Sequence, residues 1–219
     1  MRHPIRTPAP LTVALATGLL LTGCGGTEPL PGGTPGAPPS AAPASAVPTT
    51  TAPAVAVASR TRVGGPGTAC ALPVSFALAA EWEPEAVRAP DDPEFAVLMR
   101  QGPATVRCEV DAKPAGHIGF LRVWTAGKGP ARTALEGFVE GERGASKTVY
   151  RATTAGALPV TEVTYTVHNE FMEESKEERA FAVATPKGTV IVHLGGFDTD
   201  EHREMLPAYE LARTTLEVL

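Results

Sequence analysis

The sequence lacks the motifs that identify the common classes of hydrolase and nucleotide-binding enzyme. It contains no GxSxG, SxxK or HExxH motif and no phosphate-binding GxxxxGK loop. The histidines after residue 23 are widely spaced: His117, His168, His193 and His202 form no ligand-spaced motif. Because no nucleophile, metal set or cofactor site is visible, we predict no catalytic residue, no metal and no cofactor.

Long apolar runs are also few. After residue 21 no stretch approaches 18 consecutive apolar residues, so no membrane-spanning helix is expected there. Leu11 to Leu21 is an 11-residue apolar run that follows Arg2 and Arg6. It is shorter than the roughly 20 residues of a span but fits the apolar region of a secretory signal. Residues 1–23 are therefore predicted to be a signal peptide.

The four residues Leu21-Thr22-Gly23-Cys24 resemble the lipobox of bacterial lipoproteins. The resemblance implies that Cys24 becomes the new N-terminus and carries a diacylglyceryl group on its sulfur. Two acyl chains anchor stably, since each buried methylene contributes about 0.8 kcal/mol. We expect the mature protein on the outer leaflet of the cell membrane, facing the envelope. An ordinary cleaved signal beside a chance cysteine is the alternative.

Charge and large side chains are scarce in the next segment. From Thr27 to Ser59 the chain is mostly Pro, Gly, Ala, Ser and Thr, and Glu28 is its only charge. Such a chain cannot bury enough apolar surface to offset the entropy of ordering. Residues 24–69 are therefore predicted to be a disordered tether behind the lipidated cysteine.

The remaining 150 residues, 70–219, have the usual size of a single globular domain. They carry 15 Lys and Arg against 23 Asp and Glu, a net charge of −8. This acidity disfavours nucleic acid and anionic headgroups as partners. Cys70 and Cys108 are its two cysteines, and outside the cytosol such a pair predicts a disulfide. A redox or metal role is the weaker alternative, since there is no CxxC.

Alternating patterns predict a sheet. Val106, Cys108 and Val110 are expected on one face of a strand, and Val163–Val167 repeats the pattern. Thr189–Leu194 is apolar on both faces, as in a covered central strand. Further strands are predicted at Val74–Leu78, His117–Trp124, Thr148–Thr154 and Arg179–Thr185.

Two helices are predicted among these strands. Pro130 can open the first, and Ala131, Leu135, Phe138 and Val139 form its apolar stripe. The second is predicted over Pro207–Val218. The order of elements indicates an α+β domain with a mainly antiparallel sheet.

The domain resembles a known family at both ends. Leu72-Pro73-Val74-Ser75-Phe76, followed by Glu81-Trp82, resembles the opening of PsbP-like α/β sandwiches, and Thr189–Leu194 with the last helix resembles their C-terminal half. LpqN-type lipoproteins of actinobacteria also follow a lipobox and a Pro/Ala/Thr tether. The resemblance implies a binding or adaptor scaffold without catalysis, with envelope lipid handling as a possibility for its members.

Four features are candidates for function. His193 lies in an apolar strand, where a satisfied structural histidine is favoured over a general base. The acidic segment Asp198–His202 invites calcium, but carboxylates favouring a helix N-terminus explain it better. Glu173–Arg179 is predicted to be an exposed hairpin loop, or a protruding acidic loop that docks a basic partner. Trp82 and Trp124 are expected in packing, or beside a ligand groove if exposed.

Three functions remain open at this point. The favoured one is a non-catalytic envelope adaptor that binds another envelope protein. The alternative is a carrier or sensor of an apolar or lipid ligand, which requires a closed apolar cavity of about 300 Å³ or more. An envelope enzyme is the least favoured.

Overall fold

The computed structural model describes residue 56 and residues 58–219, which form two antiparallel sheets and two α-helices. The strands are β1 (Ala58–Val63), β2 (Val74–Ala79), β3 (Glu83–Ala86), β4 (Arg100–Gln101), β5 (Ala104–Asp111), β6 (Gly119–Ala126), β7 (Ala145–Ala155), β8 (Leu158–Asn169), β9 (Glu174–Thr185), β10 (Gly188–Gly196) and β11 (Glu217–Val218). The helices are α1 (Ala131–Glu140) and α2 (Thr199–Thr214), with short 3₁₀ helices at Pro93–Met99 and Lys113–Ala115.

The larger sheet is the centre of the fold. Its strands follow the order β3-β5-β6-β10-β9-β8-β7, and β4 pairs with β5. The smaller sheet has the order β1-β2-β11. All described strand pairs are antiparallel, so the predicted α+β class with a mainly antiparallel sheet and two helices is confirmed.

The central strand β10 of the larger sheet is apolar on both sides, as predicted, and both faces of the sheet are covered. Val190, Val192 and Leu194 belong to a core shared with α2 and the smaller sheet. Ile191 belongs to a second core beneath α1. The larger sheet therefore separates two cores, and successive side chains along a strand enter opposite cores.

A bulge in β5 corrects one sequence prediction. Val106 pairs with Trp124 while Cys108 pairs with Val123, so one extra residue lies in β5 between these pairs. Val106 therefore packs in the core beneath α1, whereas Cys108 and Val110 pack in the α2 core. The prediction that all three share a face was wrong, because a bulge shifts the two-residue alternation by one.

The ordered domain begins before Cys70, where the tether was predicted to end. Residues 58–63 form β1, which pairs with β2, and Arg62 Nε donates to Ser75 Oγ at 3.0 Å. Cys70 lies in the β1–β2 connection and forms the predicted disulfide with Cys108, with the Cα atoms 5.8 Å apart. The disulfide thus ties an internal loop to β5 rather than the point where the tether enters. The predicted signal peptide, Cys24 and the tether up to residue 55 lie outside the described residues.

Helix α2 begins eight residues before the predicted start at Pro207. Asp198 caps it, since its Oδ1 accepts the backbone N–H of Glu201 at 2.8 Å. Pro207 is inside the helix, where it lacks a donor for the carbonyl four residues earlier. The flanking Met205 and Tyr209 are fully buried, so packing holds the helix through the proline.

Helix α1 matches its prediction and lies unusually close to the β4–β5 turn. Gly102, in this turn, has φ +52°, and a Cβ there would lie 2.0 Å from the carbonyl oxygen of Gly137 in α1. A Cβ on Gly141 would lie 2.4 Å from the nitrogen of Gly102. Gly102 in the turn and Gly141 at the end of α1 therefore permit this close packing.

Candidate functional site

The turn of the β8–β9 hairpin lies past the strands that flank it in the larger sheet. The β9–β10 ladder ends at the Leu194–Arg179 pair, whereas the β8–β9 ladder continues to the Asn169–Glu174 pair. Strand β10 itself continues to Gly196, and β7 pairs with β8 as far as Ala145–Val167, so only the turn and the residues next to it lie past both flanking strands. We call residues 165–178 the arm and residues 169–174 its tip.

This arm corrects the interpretation of Glu173–Arg179 as an exposed hairpin loop. The turn lies at residues 170–173, and β9 is already in strand conformation from Glu174. The charged run has the composition of a loop because most of its side chains are exposed or half-buried along β9. Glu178, in contrast, is buried.

The tip holds Phe171 in solvent. This side chain is 98 % exposed, and Met172 beside it is 46 % exposed. Asn169 Oδ1 accepts the backbone N–H groups of Phe171, at 2.9 Å, and Met172, at 3.3 Å. Glu173 closes the turn with φ +53°. The Asn169 side chain and the Glu173 backbone therefore fix the conformation of the turn that exposes Phe171.

At the base of the arm lies a buried polar cluster of Glu178, Tyr165 and His193. Glu178 Oε2 lies 2.7 Å from His193 Nε2 and accepts the hydroxyl of Tyr165 at 3.0 Å. The hydroxyl oxygen of Tyr165 is also 3.1 Å from His193 Nε2. Lys176 Nζ completes the cluster 2.8 Å from Glu178 Oε1. A carboxylate on the α1 side of the sheet is thus paired on both of its oxygens.

The electrostatics of this cluster favour an ionised Glu178. Burial alone raises the pKa of Glu178, but the charges and hydrogen bonds of His193 and Lys176 outweigh it and bring the pKa to about 2. The pKa of Tyr165 is raised well above its ordinary value by burial and then by the Glu178 charge. Burial and the same charge also raise the pKa of Glu142, which follows α1. The cluster is therefore organised around one buried negative charge.

Further contacts brace the arm against the rest of the domain. Lys176 Nζ donates to the carbonyl of Gly196, at the end of β10, at 2.9 Å. The backbone N–H of Glu177 donates to Thr199 Oγ1, at the start of α2, at 3.0 Å. These bonds reach the arm from β10 and from α2, so its projecting part has a fixed base.

The polar cluster has the residue types of an acid–base site, but its members are buried. Glu178, His193 and Tyr165 are between 2 % and 5 % exposed. The ring of Phe138 in α1 lies 5.4 Å from that of His193. His193 is thus buried, as the sequence favoured, but its Nδ1 has no hydrogen-bond partner among the described residues. Tyr165 and Glu178 also line a cleft that opens to solvent.

Sequence reasoning missed Glu178 and Tyr165 as partners of His193. The signal was present in the alternation of β9, where Glu178 has the same parity as Ala180 and Ala182 of the α1 core. A carboxylate on an apolar face requires a partner. The partner's identity, however, depends on the register between β9 and β10.

The other candidate residues cap a helix or are buried in the domain. Asp198 caps α2, which confirms the helix-terminus interpretation of the acidic segment. His202 is buried, and this burial lowers its pKa to about 4. Trp82 and Trp124 are each 7 % exposed, in the α2 core and the α1 core respectively, which confirms packing.

The clefts along the described surface are open to solvent. One of about 310 Å³ is lined by both arm strands and His202. Another of about 220 Å³ lies beside the tip, between Met172 and Phe197. Two shallower clefts, of about 270 and 450 Å³, flank the smaller sheet. These open grooves differ from the closed apolar cavity that a carrier requires.

Comparison with known proteins identifies the family. Residues 40–216 match a family described as uncharacterised lipoproteins. This chain belongs to that lipoprotein family. A lipoprotein is held at a membrane by its lipid, so this is a membrane-anchored envelope protein. Among the helices in the described residues, none is long and apolar enough to cross a bilayer.

A solved structure gives a more distant likeness. The solution structure of cyanobacterial PsbP (CyanoP) from Synechocystis sp. PCC 6803 is 14 % identical in sequence, with a TM-score of 0.48. The match covers 76 % of the lipoprotein and 95 % of CyanoP. No curated protein matches the lipoprotein in sequence.

Proposed function

We propose that this lipoprotein is a non-catalytic binding or adaptor module of the cell envelope, anchored through Cys24 in the outer leaflet of the cell membrane. The observation that carries the proposal is the arm. A hairpin whose turn lies past the flanking strands and exposes a phenylalanine has the properties of a recognition element.

The buried cluster supports a binding function over catalysis. His193 and Glu178 would be the natural acid–base pair of this domain, but both are buried and Phe138 of α1 packs against His193. The same residues support the base of the arm through Lys176. Their position thus favours a role in presenting the arm, and a protein partner in the envelope is the ligand that a projecting hairpin fits best.

The anchor has a direct test in a bacterium that processes lipoproteins. Cys24→Ala should abolish labelling by radioactive palmitate, because no acyl acceptor remains, and should either release the protein from sedimented membranes or block its processing. Thr27→Ala, three residues further along the chain, is the matched control and should remain labelled. Palmitate labelling of the Cys24→Ala protein at the level of the parent would overturn the lipid assignment.

The adaptor function is tested by crosslinking in intact cells. An amine- and carboxyl-reactive crosslinker should join the lipoprotein to a discrete envelope protein, and capture through that protein should recover the lipoprotein in return. Cells that display the protein at the membrane but give no reciprocal adduct would contradict the proposal.

A further inference from the structure

We propose that the tip of the arm docks into an apolar pocket bordered by lysine and arginine side chains on a partner protein. This inference rests on the proposed binding function and specifies its surface and the chemistry of its partner. It assigns Phe171 as the residue that enters the pocket.

Three apolar side chains at the tip and beside it are exposed to solvent. Phe171 is 98 % exposed, and Met172 and Phe197 are 46 % and 54 % exposed around the 220 Å³ cleft. Aromatic residues and methionine are enriched in the buried cores of protein interfaces, and a few such anchors supply most of the binding energy. An apolar pocket is the environment that removes these side chains from water.

The charged side chains of the tip indicate what should surround that pocket. Glu170, Glu173 and Glu174 lie within the tip, and among the described residues no lysine, arginine or histidine forms an ion pair with them. The nearest basic residue along β9, Lys176, is engaged by Glu178 and the Gly196 carbonyl. Three uncompensated carboxylates around an apolar centre complement a basic rim.

The tip is also organised before any partner binds. Asn169 holds the backbone of Phe171 and Met172, and the bonds of Lys176 and Glu177 fix the base of the arm. A segment already in its bound shape loses less conformational entropy on association.

The membrane is the main rival occupant. Ala56 lines a cleft with His117, just before β6, so the chain enters the domain at the end of the sheet from which the arm projects. An anchored domain can therefore turn its tip toward the bilayer. Three glutamates beside Phe171 oppose this, because anionic lipid repels them and burial would desolvate them.

Photocrosslinking from the tip separates these occupants. The full lipoprotein in its native membrane carries p-benzoylphenylalanine at position 171 or, as the matched control, at Phe95. Phe95 is also an exposed phenylalanine, at 56 %, and follows two acidic residues in a 3₁₀ helix. We expect a discrete protein adduct from position 171 only, and the crosslinked peptide should lie in an apolar pocket with lysine or arginine within reach.

Each other outcome overturns the inference in a recognisable way. Adducts to lipid, to a second copy of the lipoprotein, or to a pocket with an acidic rim would each contradict it. A protein adduct from position 95 but not 171 would overturn the inference and leave the adaptor function standing. No protein adduct from either position, with reciprocal capture also negative, would overturn both.

Affinity measurements with the captured partner test the two components separately. Phe171→Ala should weaken binding at least about 30-fold, as for an interface anchor, while Phe95→Ala should leave it within about twofold.

Converting Glu170, Glu173 and Glu174 together to glutamine should weaken binding about 10-fold and reduce its salt dependence. Because Phe171 is exposed, unchanged thermal unfolding of Phe171→Ala verifies the fold. Binding by Phe171→Ala within twofold of the parent would contradict the inference.

Discussion

Glu178 Oε2 and His193 Nε2 lie 2.7 Å apart on neighbouring strands, both side chains 5 % exposed. The β9–β10 register places His193 opposite Ala180, so Glu178 is its diagonal neighbour on the same face. Glu178 also holds Lys176, which bonds the end of β10. One buried carboxylate thus connects the core beneath α1 to the base of the arm.

Removing Glu178 should therefore be costly. We expect Glu178→Ala to lower the free energy of unfolding by about 3–5 kcal/mol, because His193 and Lys176 would lose their buried partner. Urea unfolding of the lipoprotein in mild detergent measures this change. The partly exposed Glu109–Arg122 pair, 2.6 Å apart, is the control, and Glu109→Ala should cost at most about 1 kcal/mol. Similar costs at the two sites would contradict a special role for Glu178.

Stability should fall with acid in two stages. His202 has a pKa near 4 in the folded protein because burial favours its neutral form, against an ordinary 6.5. Its contribution is complete above pH 6.5 and is lost as pH falls to 4, about 3 kcal/mol in all. Glu178, with a pKa near 2 against 4.5, contributes fully above pH 4.5 and loses its contribution from there down to 2.

A histidine variant separates these stages. The melting temperature of His202→Gln should change little between pH 6.5 and 4.5, where the parent's falls, and both proteins should lose stability below 4.5. Glu177, Arg179, His193 and Glu178 act on the His202 pKa and are present in both proteins, so they do not explain a difference. Parallel melting curves across the upper window would contradict the assignment to His202.

Local patterns were sufficient for much of the fold. The apolar stripe from Ala131 to Val139 has helical spacing and forms α1, and the doubly apolar Thr189–Leu194 segment lies at the centre of the sheet. Cys70 and Cys108 could be paired because no other cysteine falls within the predicted domain. In each case the prediction depended on residues close together in the sequence, or on a cysteine pairing for which the predicted domain offered one option.

The features that sequence reasoning missed depend on contacts distant along the chain. The bulge between Val106 and Cys108 is defined only against β6, and β1 is held in place by β2. Helix α2 contains Pro207, which local rules place at a helix start, and tertiary packing overrides them. The Glu178–His193 contact requires the β9–β10 register. These long-range choices also determine where the arm leaves the sheet.

The disulfide should contribute substantially to stability. Cys70 and Cys108 are separated by 38 residues, and closing a loop of this length contributes about 4 kcal/mol in the chain-entropy description. We expect the Cys70→Ala/Cys108→Ala variant to unfold at correspondingly lower urea concentration. Dithiothreitol should destabilise the parent to a similar extent and leave the double variant unchanged. A response of the double variant to the reductant would show that another thiol group is responsible.

The close approach of α1 to the β4–β5 turn should make Gly102 intolerant of any side chain. At φ +52° an alanine is strained, and its Cβ would lie 2.0 Å from the Gly137 carbonyl oxygen, which is backbone and cannot rotate away. We expect Gly102→Ala to lower the free energy of unfolding by at least about 2 kcal/mol. Gly129→Ala is the control, because open space surrounds that position, and it should remain within about 1 kcal/mol of the parent. Equal stability of the two variants in urea unfolding would mean that α1 can move away from the turn, and the buried cluster beneath α1 would then be less tightly covered than the structure indicates.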